Sequence, residues 1–382
     1  MSETIVRRLV DTSKCSAFVA FGADNFRYLT GATLPFASNY PERRAAAIIA
    51  SEGNSCAVVT PPDWLQAVKD QGWMEGAVAY DENDGPHPAG FVKTLSKTLV
   101  EMGLNKGTLG YDAKRTPAGI VEALKAVTTV KLTPVDGVLA EARFTKTPAE
   151  VALIESSCEY ADRGVIHGLN HLEGTLWGPG YTVAEFAERV RVHAFESGAS
   201  GVGHLAVTMG DDTRLEYVPH SGDVDEDLLI RTDMTTSSMG YWSSISRMAY
   251  TGYAPIEVED AYEENQALKL LAESLLVPGS RCDKIYEAVK SEADKMGVKL
   301  HGPIIGYGVG CSHFEAPYIV KGYPEELKAG NIIALGVPTL GPRREIYVDR
   351  DVYEVTNTGP RKLSWYRNWE TIYEVIGFRA VH

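Results

Sequence analysis

The stretch IRTDMTTSSMGYWSSISRMAYTG, Ile230–Gly252, decides how this chain is read. It has the cadence of a β-hairpin, with branched and aromatic side chains interleaved with small hydroxyl residues. It carries one carboxylate, Asp233, and eleven residues later Ser244 stands where a second acid would complete a pair.

Outward from the hairpin, the same half of the chain holds further strand-like runs: HLAVTMG, IVKG, NIIALGV and DVYEVT. Between them lie helical patterns. Thr147, Pro148 and Glu150 place a hydroxyl at N-cap, Pro at N1 and an acid at N3, followed by Val151, Ile154, Cys158, Ala161 and Val165 at helical spacing. Thr182 and Glu185 repeat the box before FAERVRVHAFESG, which stops at Gly198. EDAYEENQALKLLAESL and RCDKIYEAVKSEADKMG supply two more helices. Strands and helices mix without strict alternation, which predicts an α+β domain: a curved, largely antiparallel sheet with helices on one face. Two similar halves are suggested, each a helix pair followed by strands.

Upstream, CSAFVAF, RAAAIIA, CAVVT, GTLGYD and VKLTPV alternate with PAGFVKTLSKTLVEMG and TPAGIVEALKAV. This predicts a smaller α/β domain. The turn signal Glu52-Gly53-Asn54 between two apolar runs makes its sheet mixed. Expected boundaries are 1–142 and 143–382, and 382 residues fit two domains on a prior of about 150 each.

Composition narrows the function. The net charge is −14 with basic residues scattered, so no phosphate-tracking stripe exists and nucleic acid is not expected as a partner. Five widely spaced cysteines without a CxxC pair suggest neither a disulfide framework nor a zinc knuckle, and they fit a cytoplasmic location. No run of about 18 apolar residues occurs and the N-terminus lacks a signal pattern, so no membrane partner is expected. GYGVG is not a dinucleotide fingerprint, and the acids from Asp223 lack calcium-loop spacing.

The strings NFRYLTGA (25–32), EARFTKTPAEVALIE, DMTTSSMGYWSSISR, IIGYGVGCSHFEAPYI and LKAGNIIALG together resemble the "pita-bread" superfamily of creatinase, prolidase, aminopeptidase P and methionine aminopeptidase. The resemblance spans essentially the whole chain. It implies a creatinase-type N-terminal α/β domain before a pita-bread catalytic domain. In its metallopeptidase branch two Asp, one His and two Glu hold two divalent ions that activate water. Carried over by position, Asp233 matches the first Asp and Ser244 replaces the second; Tyr307 replaces the His and Gly336 the first Glu. The last Glu falls at Asp349 or Arg350, depending on a one-residue gap. Ser, Tyr and Gly cannot neutralise two ions, so no metal and no other cofactor is expected.

The resemblance to creatinase, which works without metal, implies instead a hydrolase that cleaves a C–N bond in a small carboxylate-bearing substrate. His220 in EYVPHSGD is the general acid-base candidate, because imidazole titrates near neutrality. Tyr307 would donate to a developing oxyanion, while His313 and Asp349 shape the site. Asp233, Tyr241, Trp242, Ser244, Ser246 and Glu315 are the expected substrate contacts. Arg43 in NYPERRAAAII would reach the site of a partner subunit and clamp the carboxylate, making the active unit a homodimer. The alternatives are a lyase acting by elimination, a degenerate Xaa-Pro metallopeptidase, and a binding protein without turnover.

Overall fold

The computed structural model describes residues 9–10, 12–34, 43–51, 55–175, 181–210, 222–364 and 368–377. It divides into two compact units, Met1–Arg143 and Phe144–His382.

In the first unit β1 (Ala17–Ala20), β2 (Ala46–Ala50), β3 (Cys56–Thr60), β4 (Gly76–Ala79), β5 (Thr108–Tyr111) and β6 (Lys131–Pro134) form one sheet in the order β4-β3-β2-β1-β5-β6. The β1–β2 and β2–β3 pairs are antiparallel and the others parallel, so the sheet is mixed as expected. The turn at 52–54 lies outside the described residues. Every residue of β1 and β2 is buried, which explains why these strands read as continuous apolar runs. The helices are α1 (Ala23–Thr30), α2 (Leu65–Gln71), α3 (Ala89–Glu101), α4 (Ala118–Val127) and α5 (Gly137–Phe144). Phe91, Val92, Leu95 and Leu99 repeat on one side of α3 and join Val19, Ile48, Val59 and Leu109 in the core. Within NFRYLTGA, Asn25 donates to Asp112 at 2.8 Å and accepts from Arg143 at 2.8 Å, tying α1 to later parts of its own unit.

The second unit opens with α6 (Pro148–Thr175) and α7 (Val183–Glu196). Both predicted capping boxes form. The Thr147 and Thr182 amides donate to Glu150 and Glu185 at 2.8 and 2.7 Å, and each Glu amide donates back to the Thr hydroxyl. Strands β7 (Gly201–Met209), β8 (Leu229–Ser238), β9 (Tyr241–Trp242) and β10 (Ile245–Thr251) follow, then the helices α8 (Ile256–Ser274) and α9 (Cys282–Met296). The remaining strands are β11 (Lys299–Leu300), β12 (Ile304–Gly308), β13 (Glu315–Val320), β14 (Ile332–Leu335), β15 (Thr339–Leu340), β16 (Ile346–Tyr347), β17 (Asp351–Thr356), β18 (Gly359–Lys362) and β19 (Tyr373–Val375). A helix pair followed by strands thus occurs twice.

Among the described residues the strands of this unit are largely antiparallel, as expected, and fall into three hydrogen-bonded sets. The orders are β19-β10-β8-β7 with β9 on β8, then β11-β15-β16, and β13-β12-β14-β17-β18. The two larger sheets are stitched at one place, where the backbones of Ser246 and Arg350 exchange hydrogen bonds of 3.2 and 3.0 Å. On the second half's sheet, Ile305, Ile319, Ile333, Leu335 and Tyr353 pack with Leu268 and Ala272 of α8 and Ile285, Val289 and Ala293 of α9. Each fully buried aliphatic chain there contributes about 1.5–3 kcal/mol. This core anchors the strands that carry Tyr307 and Gly336 into the site.

Candidate functional site

Strand β8 is buried along its whole length, yet its two faces meet different surroundings. Asp233 stands opposite Ser246 of β10 on one side and Ala206 of β7 on the other. Partners in an antiparallel ladder share a face and neighbours along a strand alternate. One face therefore collects Arg231, Asp233, Thr235, Ser246 and His204, which pairs with Thr235. The other face turns Thr236 and Arg247 toward α6: the Thr236 hydroxyl donates to the Ser157 carbonyl at 2.6 Å, and Arg247 Nε donates to Asp162 at 2.7 Å.

On the first face Asp233 sits between two guanidiniums. Arg231 Nε donates to Oδ2 at 2.9 Å and Arg350 Nη1 to Oδ1 at 3.2 Å. Burial pushes the Asp233 carboxyl up, but the two arginines outweigh it and hold it below the ordinary carboxylate value. The Arg350 guanidinium lies over the Tyr307 ring at 5.6 Å, and the Tyr307 and Ser244 hydroxyls share a 2.8 Å hydrogen bond. Phe314 packs against Tyr307 with the rings tilted by 46° and their centroids 4.5 Å apart. Trp242 meets His313 edge to face at 5.9 Å. Burial lowers both His204 and His313 from the ordinary imidazole value, Arg350 adding to the effect at His204 while Asp233 opposes it. Among the described residues, Arg231 Nη2 is buried here without a hydrogen-bond partner.

Gly336 explains how Arg350 fits. A Cβ at Gly336 would lie 3.0 Å from Arg350 Cβ and 3.1 Å from Val348 Cγ2, so the glycine opens the space that the arginine side chain fills. Of the five positions that would hold a metal pair, Asp233 alone offers a carboxylate, and both its oxygens are taken by arginines. Ser244 and Tyr307 offer neutral hydroxyls bonded to each other, and Arg350 brings a positive charge. This donor set does not fit a pair of divalent ions. No cluster of three or more His, Cys, Asp and Glu among the described residues could hold one.

The structure thus brings Asp233, Ser244, Ser246 and Tyr307 together, with Trp242, paired to Ser237, on the Asp233 face of the hairpin and His313 against its ring. Other expected residues stand elsewhere. Asp349, expected to shape the site, accepts from Arg247 at 3.0 Å and from Lys269 in a fully buried network, while its neighbour Arg350 takes the pocket position. The Tyr241 hydroxyl donates to Glu150 of α6 at 3.0 Å, because Tyr241 and Trp242 alternate across β9. Glu315 accepts from Lys146 at 2.8 Å in a buried ion pair. Arg43 is engaged within its own unit by Glu82 at 2.9 Å and Asp63 at 2.8 Å, against the Trp64 ring. His220 lies outside the described residues. Sequence reasoning missed Arg231 and His204. The signal for Arg231 was present: an arginine two residues before Asp233 in a strand shares its face.

A two-domain α+β chain with this hairpin site defines the class, and comparison with known proteins names the family. Residues 152–359 match metallopeptidase family M24 and residues 5–145 match the creatinase/prolidase N-terminal domain. The chain belongs to metallopeptidase family M24. It is 25% identical over 273 residues to an Xaa-Pro dipeptidase of Pyrococcus furiosus, covering 68% of this chain and 72% of that one. Among solved structures it is similar to the prolidase from Pyrococcus horikoshii OT3, with a TM-score of 0.81 at 20% identity over 96% of this chain and 99% of that one. It is also similar to the X-Pro aminopeptidase from Thermotoga maritima, with a TM-score of 0.84 at 16% identity over 98% and 99%. At such identities these structures establish the fold alone.

Proposed function

We propose that this member of family M24 is a metal-independent hydrolase that cleaves a C–N bond in a small carboxylate-bearing compound. The observation that carries the reading is Arg350. A guanidinium paired to Asp233 supplies, at the position of the last family ligand, the positive charge that metal ions would otherwise bring. Curated relatives bear the name Xaa-Pro dipeptidase, and a dipeptide is itself a C–N compound with a free carboxylate, so the proposed class includes peptides without requiring the metal.

In the proposed reaction an imidazole accepts the proton of the attacking water and returns it to the leaving nitrogen. His220 is the group assigned this role. Tyr307, whose hydroxyl Ser244 orients, donates to the oxyanion that develops on the attacked carbon. His204, paired to Thr235, and His313, against Trp242, flank this cluster, and burial favours the neutral form of both imidazoles. The working unit is proposed to be a homodimer, though Arg43 is spent on Asp63 and Glu82 of its own domain.

The test uses chelator-treated protein, a panel of dipeptides, N-acyl amino acids and guanidino acids, and water enriched in oxygen-18. Turnover that survives chelation and places one solvent oxygen in the product is expected. Turnover restored only by a divalent metal would overturn metal independence, and turnover without label would identify an elimination.

A further inference from the structure

We propose that Arg231 and Arg350 are the two prongs of a carboxylate-binding fork, with Asp233 as the spacer that sets their separation. The proposal rests on the reading of this pocket as the substrate site, and it replaces Arg43 as the clamp.

Charge balance is the first argument. Among the described residues two arginines face one aspartate here, so the buried cluster holds one more cation than anion. Asp349, next to Arg350 in the chain, acts on Arg350 electrostatically but makes its ion pairs elsewhere. Asp349 belongs to a separate network on the other side of the sheet, where Asp162, Asp349 and Asp351 meet Arg247, Lys269 and Lys362 three against three. A buried unpaired charge is costly, and a monoanion is the group that would balance it.

Hydrogen bonding is the second. Arg231 has only 3% of its side chain exposed and donates Nε to Asp233, which leaves Nη2 buried without a partner among the described residues. Ser246, opposite Asp233 in the ladder, adds a buried hydroxyl that helps keep the Asp233 carboxylate charged. Arg350 is seated on the Tyr307 ring, with Gly336 clearing its path, so its planar fork is held in one orientation. Guanidiniums recognise carboxylates and phosphates alike. A single excess charge matches a carboxylate better than a phosphate, which carries more than one negative charge at neutral pH.

The experiment measures binding of N-acetylglycine, its neutral amide N-acetylglycinamide and inorganic phosphate by calorimetry on the full-length protein. The acid is expected to bind at least tenfold more tightly than the amide and more tightly than phosphate. Arg231→Gln and Arg350→Gln should each weaken the acid about tenfold or more, the loss of one charge-assisted contact. Asp233→Asn should tighten it, since the competing carboxylate is gone. Equal binding of acid and amide by the wild type would overturn the proposal with no variant needed, and so would Asp233→Asn weakening the acid tenfold. Phosphate binding best would reassign the site to phosphate. Selective acid binding with no oxygen-18 incorporation from any substrate would sink the hydrolase reading and leave the fork standing.

Discussion

Gly336 and Arg350 are two halves of one substitution. An acid at 336 needs a Cβ, and a Cβ there meets Arg350 at 3.0 Å, so the arginine is compatible with glycine in that position. Gly336→Ala should therefore cost about 1–3 kcal/mol through overpacking, read as a lower denaturant midpoint, and should weaken carboxylate binding by displacing Arg350. Ser244 could be placed by counting from Asp233 and Tyr307 by the likeness of GYGVG to the family's string, and the structure sets their hydroxyls 2.8 Å apart. The choice between Asp349 and Arg350 could not be made that way. A one-residue slip turns every side chain of a strand to the opposite face, and the Ser246–Arg350 bridge is a tertiary fact that fixes the register.

At the scale of elements, β8 and β10 work as a partition between two polar systems. In front stand Asp233 and its arginines. Behind, Arg247 bridges Asp162 of α6 to Asp349 and Asp351, and Lys269 of α8 completes the set. Burial pushes the Asp351 carboxyl up, but Lys269, Arg247 and Lys362 prevail and hold it well below the ordinary value. Its stabilisation is then present in full above the unfolded-state value of about 3.9 and is lost only as pH falls toward the folded value. Lys269→Met removes one member of this network and leaves buried acids short of a partner. It should destabilise the protein by about 3–5 kcal/mol at neutral pH in equilibrium unfolding, with a smaller cost in strong acid. The helices that frame the partition were legible, since capping boxes and 3.6-residue periodicity are local signals. Which acids they bury together was not, because the partners come from positions 162, 247, 269 and 349–351.

For the whole molecule, the expectation that one subunit lends Arg43 to another meets a concrete obstacle in the ion pairs to Asp63 and Glu82. Arg43→Gln should leave N-acetylglycine affinity within about twofold of wild type, against about tenfold or more lost in Arg350→Gln. Its stability cost should be under about 1 kcal/mol per partly exposed ion pair. A tenfold loss of affinity in Arg43→Gln would return the clamp to the N-terminal domain. The order of elements follows from the sequence by itself, because it rests on local periodicity and caps, while the family and the altered ligand positions followed from the resemblance of its strings to a known superfamily. Tertiary structure alone decided that Arg350 rather than Asp349 pairs with Asp233, that Arg231 and His204 share its face, and that Tyr241, Glu315 and Arg43 have partners of their own. Those outcomes depend on strand register and on the charges that distant segments bring within a few ångströms, and burial then fixes the cost of leaving any one of them unpaired.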